Sequence, residues 1–150
     1  MKLPTKEGGY TRTGSRTPMQ WDNTQNLGFS GGDADSLYLP VDPAADAPTV
    51  AAQQDDPDSL LNTVRALLAL RHAEGDLQAD APFEALCTEK GKPFVYRRSG
   101  LTLAVNPSGE ALTWKHSLGA LTPVYRLGEA IADGDSLTMG PQSFAVFRRG

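Results

Sequence analysis

The sequence predicts a mainly β fold, in which a long N-terminal loop or arm and one α-helix precede a C-terminal antiparallel β-sandwich. Three observations support this class. Apolar and polar residues alternate in short runs after residue 81, apolar residues recur at helical spacing over 57–74, and no sustained period occurs before residue 55. We therefore divide the chain into a loop or arm (1–55), a helix (56–75) and an antiparallel β domain (76–150).

The arm is rich in Gly, Pro, Ser, Thr, Asn and Asp, and this composition predicts one long loop over residues 1–54. Compact domains seldom contain structureless loops of this length. We therefore expect the arm to wrap a larger body or to be disordered in part.

The helix is predicted to begin with Asp56 as its N-cap and Pro57 at its first helical position. Gly75 is expected to end it. The apolar residues at helical spacing between these points are Leu60, Leu61, Val64, Leu67 and Leu68. That apolar face must pack on the β domain or on another chain. His72 is interpreted as a favourable charge near the helix C-terminus rather than as a ligand.

Gly and Pro separate the period-two runs of the β domain, which is typical of an antiparallel sandwich or barrel with tight turns. The predicted strands cover 83–86, 93–98, 101–106, 111–115, 124–127, 136–139 and 143–148. The candidate core residues are Val95, Leu103, Val105, Val124, Leu127, Phe144, Val146 and Phe147.

Two aromatic residues of this region, Trp114 and Tyr125, invite a sugar-stacking interpretation. Packing in the core or at its rim is favoured for both, because aromatic side chains in strands are usually buried. We interpret His116 as an ordinary surface residue, and likewise the two arginine pairs at 97–98 and 148–149.

Composition excludes several classes of function. Asp and Glu (18) exceed Lys and Arg (14), the net charge is −4, and no basic stripe is available to meet phosphates, so no nucleic-acid partner is expected. Cys87 is the only cysteine, which excludes an internal disulfide and a cysteine metal cluster. No stretch has the apolar run of a signal peptide or membrane span. These features predict a cytoplasmic protein without a membrane partner, metal or cofactor.

The most informative stretch is 14–22, Gly-Ser-Arg-Thr-Pro-Met-Gln-Trp-Asp. It places a guanidinium, an amide, an indole and a carboxylate close together on a backbone that Pro18 keeps out of a regular helix. Sugar hydroxyls both donate and accept hydrogen bonds, so this set suits a polyhydroxylated ligand. Alternatively, the apolar side chains are core residues, and Arg16 and Asp22 form a solvated ion pair worth about 0–1 kcal/mol.

Further motifs follow this loop. They are Asn-Leu-Gly-Phe-Ser at 26–30, Leu-Pro-Val at 39–41, Asp-Pro-Asp-Ser-Leu-Leu-Asn at 56–62 and Leu-Leu-Ala-Leu-Arg at 67–71. In this order and spacing, the loop and the motifs resemble the α-glucosidase and oligo-1,6-glucosidase branch of glycoside hydrolase family 13, the α-amylase family. The last two motifs resemble its eighth barrel helix.

The resemblance implies the end of a larger enzyme, in which a (β/α)₈ barrel carries the chemistry and a small antiparallel β domain follows. Such a barrel needs about 250 residues, so this chain of 150 residues is expected to lack most of it. The family's aspartate nucleophile, glutamate acid/base and second aspartate have no counterpart here. No residue is therefore assigned as catalytic, and whether this chain is itself an enzyme stays open.

The resemblance also implies roles for single residues of the loop. Arg16 matches the arginine that lines the subsite for the non-reducing glucose. Trp21 and Asp22 match the same motif and are expected to support the loop rather than touch sugar. Leu27 stands where the family often has a small residue, which leaves the branch open between α-glucosidase-like and neopullulanase-like members.

The sequence thus predicts the C-terminal portion of an α-glucosidase-like hydrolase, which acts on α-glucosidic bonds of oligosaccharides and is inactive alone. The alternative is a non-catalytic β-sandwich module. The candidate partners are an α-linked oligosaccharide, a barrel-bearing chain and a second copy of this chain. Exposed apolar area on the helix would favour a protein partner, whereas a row of exposed aromatic residues on a sheet would favour sugar.

Overall fold

The computed structural model describes residues 16–150. The predictions that concern Gly14 and Ser15 lie outside these residues. The chain divides into two compact units, Met1–Ala69 and Leu70–Gly150.

The described part of the first unit is mostly loop up to residue 59, with 3₁₀ turns at Gln25–Gly28 and Ala34–Ser36 and one short helix, α1 (Val50–Gln54). The longer helix, α2 (Leu60–Ala73), begins within this unit and continues into the second. The sequence predicted a loop here and missed α1. Thr49 caps this helix, because its hydroxyl accepts a hydrogen bond from the Ala52 amide at 3.2 Å. With 5 residues, α1 is too short to produce a helical period in the sequence.

Helix α2 (Leu60–Ala73) begins later than predicted. The Asp56 carbonyl accepts a hydrogen bond from the Ser59 amide at 3.1 Å, so this stretch is a turn. Ser59 takes the capping role, since its hydroxyl accepts from the Asn62 amide at 3.2 Å. The prediction of Asp56 as N-cap and Pro57 as first helical residue was wrong, because both residue types also favour turns and Ser59 is an equally good cap.

The second unit confirms the predicted antiparallel β architecture. One sheet has five strands in the order β1-β2-β3-β8-β5, and the other has three in the order β4-β7-β6. The strands are β1 (Phe83–Cys87), β2 (Phe94–Arg98), β3 (Leu101–Asn106), β4 (Leu112–Lys115), β5 (Leu121–Leu127), β6 (Ala130–Asp133), β7 (Ser136–Met139) and β8 (Ser143–Arg149).

Strand β6 was not predicted. Its sequence, Ala-Ile-Ala-Asp, carries one β-branched side chain, and Gly134 follows it directly, so the local signal for a strand is weak. In the structure β6 pairs with β7 from Ala130↔Met139 to Asp133↔Ser136. Partner strands, rather than local propensity, therefore determine this element.

The main core lies between the two sheets. Val95, Ala104 and Phe147 of the five-stranded sheet pack there with Leu137 and Met139 of the three-stranded sheet. On the other face of the five-stranded sheet, a second cluster contains Leu101, Leu103 and Val146, with Leu70, Leu77, Tyr96, Tyr125 and Phe144 packed against it.

Most predicted core residues lie inside. Those that are buried or half-buried are Val95, Leu103, Val105, Phe144, Val146 and Phe147. Val124 and Leu127 are exposed, so the prediction was wrong for these two. Both lie on β5, which is an edge strand whose register with β8 shifts between Pro123 and Tyr125.

The packing interpretation of Trp114 and Tyr125 agrees with the structure, where each packs against one of the two clusters. His116, however, is not an ordinary surface residue. It is buried beside Trp114, with ring centroids 5.2 Å apart, and its Nδ1 accepts from the Leu118 amide at 3.2 Å. Burial lowers the pKa of His116, against an opposing effect of Asp135.

Arginine side chains fasten the segment that follows α2 to the sheet. Arg148 donates to both carboxylate oxygens of Glu74, at 2.8 and 2.9 Å. Arg98, which is half-buried, donates to the Gln78 carbonyl. These two arginines therefore connect separate parts of the second unit. The sequence predicted ordinary surface residues at both positions and missed these contacts.

The buried side-chain amide of Asn106 connects the two sheets by hydrogen bonds. Asn106 ends β3 of the five-stranded sheet, and its amide bonds Met139 of β7 in the three-stranded sheet. Its Nδ2 donates to the carbonyls of Glu110 at 2.7 Å, Met139 at 3.2 Å and Gly140 at 2.7 Å. Its Oδ1 accepts from the Ser108 amide at 3.0 Å and from the Ser108 hydroxyl at 2.7 Å. The buried side chain thus has partners for both of its polar atoms.

Replacing Asn106 by Leu tests this connection. The substitution removes the bonds that Asn106 donates to Met139 and Gly140, although the Gly140 carbonyl keeps the Ser143 hydroxyl as a donor. It also removes the acceptor of the Ser108 amide, and we expect the free energy of unfolding to fall by about 2–4 kcal/mol. Urea unfolding followed by far-UV circular dichroism measures the change. Asn23→Leu, at an exposed position, is the matched control and should stay within about 0.5 kcal/mol. Equal stabilities of the two variants would contradict a structural role for Asn106.

Candidate functional site

The loop that carries the candidate sugar-binding residues is anchored on α1. The Gln20 carbonyl accepts from the Val50 amide at 3.0 Å, and the Trp21 carbonyl accepts from the Ala51 amide at 2.9 Å. These amides belong to the first turn of the helix, where backbone donors lack partners within the helix. The loop therefore supplies the hydrogen bonds that α1 needs.

Two recesses are lined by residues of the loop. Arg16 lines one of about 230 Å³, and Gln20 lines the other, of about 300 Å³. Thr17 and Pro18 line both. Arg16 and Gln20, which the sequence placed in one sugar site, thus line different recesses.

Exposure argues against the alternative that the apolar residues of this loop form a core. Met19 and Trp21 are exposed, and Trp21 does not line either recess. The role of Trp21 in the described loop is a backbone one, since its amide donates to the Leu27 carbonyl at 2.8 Å.

Asp22 holds a local turn. Its carboxylate accepts from the Thr24 hydroxyl and from the Thr24 amide, the latter at 2.8 Å. The hydroxyl bond first, and the amide bond second, lower the pKa of Asp22. A carboxyl group that donates a proton at neutral pH needs a raised pKa, so the lowered pKa of Asp22 makes it unsuited to that role.

A run of left-handed residues completes the loop. Asn26, Leu27 and Gly28 have φ of 53°, 57° and 72°. Left-handed backbone costs non-glycine residues about 1–2 kcal/mol each. The Asn26 side chain compensates by donating to the carbonyls of Ser30 at 2.9 Å and Gly32 at 2.8 Å. Gly28 lacks a β carbon, which would otherwise lie 2.7 Å from a carboxylate oxygen of Asp22.

Sequence reasoning did not single out two aromatic residues that line the Arg16 recess. These are Phe29 and Tyr38, which are 49% and 56% exposed. Phe29 was noted only as part of a motif, and Tyr38 had no local signal. They meet Arg16 because the chain folds back on itself, which no local period reveals.

The described residues offer neither a metal cluster nor a membrane span. Within residues 16–150, no group of three or more His, Cys, Asp or Glu side chains is placed to hold a metal ion. In the same part of the chain, no helix is both long enough and apolar enough to span a membrane.

Comparison with known proteins identifies the family. Residues 2–80 match the family described as alpha amylase, catalytic domain. The chain belongs to the α-amylase family. This membership agrees with the resemblance carried by the loop and helix motifs.

Relatives within the α-amylase family include two oligo-1,6-glucosidases. The chain is 39% identical over 88 residues to the probable oligo-1,6-glucosidase 2 of Bacillus subtilis, covering 59% of this chain and 15% of that protein. It is 31% identical over 120 residues to the oligo-1,6-glucosidase of Parageobacillus thermoglucosidasius, covering 80% of this chain and 19% of the relative. The chain therefore matches less than a fifth of the length of each.

Solved structures support the fold. The trehalulose synthase of Pseudomonas mesoacidophila MX-45 aligns with 93% of this chain and 26% of its own, at a TM-score of 0.78 and 24% identity. The likeness supports a mainly antiparallel β fold with one substantial helix, as in the C-terminal β-sandwich of α-amylase family enzymes.

Gly28→Ala tests the geometry of the left-handed run. The new β carbon would contact the Asp22 carboxylate, and its positive φ disfavours alanine by about 1–2 kcal/mol, or roughly tenfold in an equilibrium constant. We expect the Trp21 amide to exchange its hydrogen at least about tenfold faster, measured by NMR. Gly31→Ala is the control, because nothing lies within 4 Å of the place that its β carbon would take and its φ is not positive. Unchanged exchange in Gly28→Ala would contradict the assigned constraint.

Proposed function

We propose that this chain supplies the C-terminal part of an α-glucosidase-like enzyme that acts on α-glucosidic bonds of oligosaccharides. The family match and the oligo-1,6-glucosidase relatives support this activity for the whole protein. The observation that carries the proposal is the recess beside Arg16 on a loop that hydrogen bonds hold in place.

Within this function, Arg16 binds the substrate. A guanidinium presents several donors in a fixed plane, which suits neighbouring sugar hydroxyls. Trp21 and Asp22 support the loop: the Trp21 amide bonds Leu27, and the Asp22 carboxylate bonds Thr24. Neither supporting residue needs to contact sugar.

The chain does not hydrolyse glycosides by itself in this proposal. Retaining hydrolysis requires two carboxyl groups about 5–5.5 Å apart, one of them a proton donor with a raised pKa. Asp22 is the carboxylate of the candidate loop, and its pKa is lowered. The nucleophile and the acid/base would have to come from outside this chain.

A hydrolysis assay tests this proposal. We expect purified chain to release no p-nitrophenol from p-nitrophenyl α-glucoside and no glucose from maltose above the buffer rate. Arg16→Ala is assayed in parallel, with Arg65→Ala, an exposed arginine on α2, as the matched control. Turnover in the wild type and Arg65→Ala that disappears in Arg16→Ala would show that a complete active site assembles from this chain and would overturn the proposal.

A second candidate function, binding of a partner chain, is favoured by α2. Leu60, Val64 and Leu68 lie one helical turn apart and are 74%, 44% and 51% exposed. We name these three residues the helix stripe. An apolar stripe in contact with water is typical of a surface that another protein covers.

Binding of sugar to the β domain is less well supported, although a row of aromatic residues exists there. The rings of Phe83, Tyr96 and Phe94 follow one another with centroids 5.3 Å apart and interplanar angles of 32° and 30°. Rings inclined in this way contact one another and cover part of each other's surface, although Phe83 and Phe94 remain 59% and 40% exposed. Because sugar stacking uses exposed ring faces, the row is better suited to packing than to binding sugar.

The helix stripe predicts self-association of the isolated chain. We expect size-exclusion chromatography with light scattering to give a mass above the 16.0 kDa of one chain, rising with concentration. The double substitution Leu60→Gln and Leu68→Gln should shift it toward the monomer, because Gln keeps the helix propensity and removes the apolar surface. Arg65→Gln, off the stripe on the same helix, is the control. A wild type that stays monomeric at all concentrations would contradict self-association through the helix stripe.

A further inference from the structure

Helix α1 has only 5 residues, and other segments bond the backbone groups at both of its ends. In so short a helix most amides and carbonyls lack an intrahelical partner, and forming the first turn is unfavourable. At its start, two amides donate to loop carbonyls, Val50 to Gln20 at 3.0 Å and Ala51 to Trp21 at 2.9 Å. Backbone bonds therefore hold the start of α1 and the 16–22 loop together.

The end of α1 is bonded to the start of α2. The Asn62 side chain donates from Nδ2 to the carbonyls of Gln53 at 2.9 Å and Gln54 at 3.2 Å. The Ser59 hydroxyl donates to the same Gln53 carbonyl at 2.7 Å. A further bond from Asn62 Nδ2, at 2.8 Å, reaches the Asp56 carbonyl in the turn between the helices. Carbonyls that a helix end leaves unpaired thus find donors on the next helix.

Gln53 provides a bond in the opposite direction. Its side-chain Oε1 accepts from the Leu61 amide at 3.0 Å, and this amide lies in the first turn of α2, where it lacks an acceptor within the helix. Gln53 and Asn62 therefore each satisfy backbone groups of the other's helix. Because hydrogen bonds are directional, the facing ends of the two helices cannot slide or turn without breaking one of these bonds.

We propose that Gln53 and Asn62 are positioning residues for the candidate substrate contact, Arg16. Through α1, they fix the place of the 16–22 loop relative to the start of α2. A misplacement of about 1 Å can cost an enzyme about a hundredfold in rate, so a loop that binds substrate needs such support. The inference rests on the proposed function and adds two residues outside the loop that determine how firmly Arg16 is held.

The alternative is a purely local capping role. Gln53 and Asn62 would then complete the ends of the two helices without any effect on the loop. The two roles differ at the amides of Val50 and Ala51, which donate to the loop rather than to either side chain. If the two side chains position the loop, their loss also weakens these distant bonds.

The test is hydrogen exchange, measured by NMR on the full, ¹⁵N-labelled chain. Asn62→Asp keeps the size of the side chain but places an acceptor against carbonyls, so we expect the Val50 and Ala51 amides to exchange about tenfold faster. An acidic residue in the first turn of a helix is favourable, so this substitution does not weaken α2 itself. The Leu67 amide, in the interior of α2, should keep its wild-type rate.

Two adjacent glutamines on α1 supply a matched set of variants. Gln53→Ala removes the acceptor of the Leu61 amide and should speed exchange of Val50 and Ala51 about fivefold. Gln53→Glu keeps an acceptor oxygen at the same place and should retain the wild-type rate. Gln54→Ala is the control, because the Gln54 side chain is exposed on the same helix, and it should change neither amide.

The outcomes separate this inference from the proposed function. Unchanged exchange of Val50 and Ala51 in Asn62→Asp and Gln53→Ala would overturn the inference, because the loop would then be held without these side chains. Faster exchange that Leu67 shares, or an equal effect in Gln54→Ala, would also overturn it. The hydrolysis assay decides the proposed function, and its result does not depend on these exchange rates.

Discussion

The β domain depends on the buried amide of Asn106, because this one side chain satisfies carbonyls at the end of β7 while its own strand belongs to the other sheet. Apolar contacts between sheets have little directionality, so by themselves they tolerate small shifts of one sheet over the other. Hydrogen bonds are directional. The bonds from Asn106 to Met139 and Gly140 would therefore favour one arrangement of the apolar contacts that include Val95 and Leu137.

The described loop of the first unit is organised by hydrogen bonds rather than by a core. The Leu27 carbonyl accepts from two amides, those of Trp21 and Asp22, at 2.8 and 3.3 Å. These bonds hold a left-handed backbone that Leu27 would not adopt alone. Hydrogen bonds that hold residues in an unfavourable left-handed conformation also fix the positions of nearby side chains. Such strain is frequent at binding sites, and the proposed role of the recess at Arg16 would give it a purpose.

The sequence predicts this fold where the signal is local and repeated. Apolar and polar residues that alternate in runs bounded by Gly and Pro predicted the longer strands. Apolar residues at helical spacing predicted α2. Elements as short as α1 and β6 carry too few residues for a period, and Val124 lies at a register shift that only the pairing with β8 reveals. For the candidate site, a contiguous motif predicted Arg16. Phe29 and Tyr38 reach the same recess through a fold of the chain, so only the structure brings them together.

The contribution of the loop to chemistry follows from the groups it contains. A guanidinium that binds substrate and transition state equally lowers KM without raising kcat. Asp22 is committed to Thr24 and has a lowered pKa, so it is a poor proton donor near neutral pH. The proposed enzyme would therefore use this loop to fix the position of a sugar ring. Acceleration of bond cleavage would come from carboxyl groups placed against that ring by other segments, which is why a rigid loop suits the site better than a mobile one.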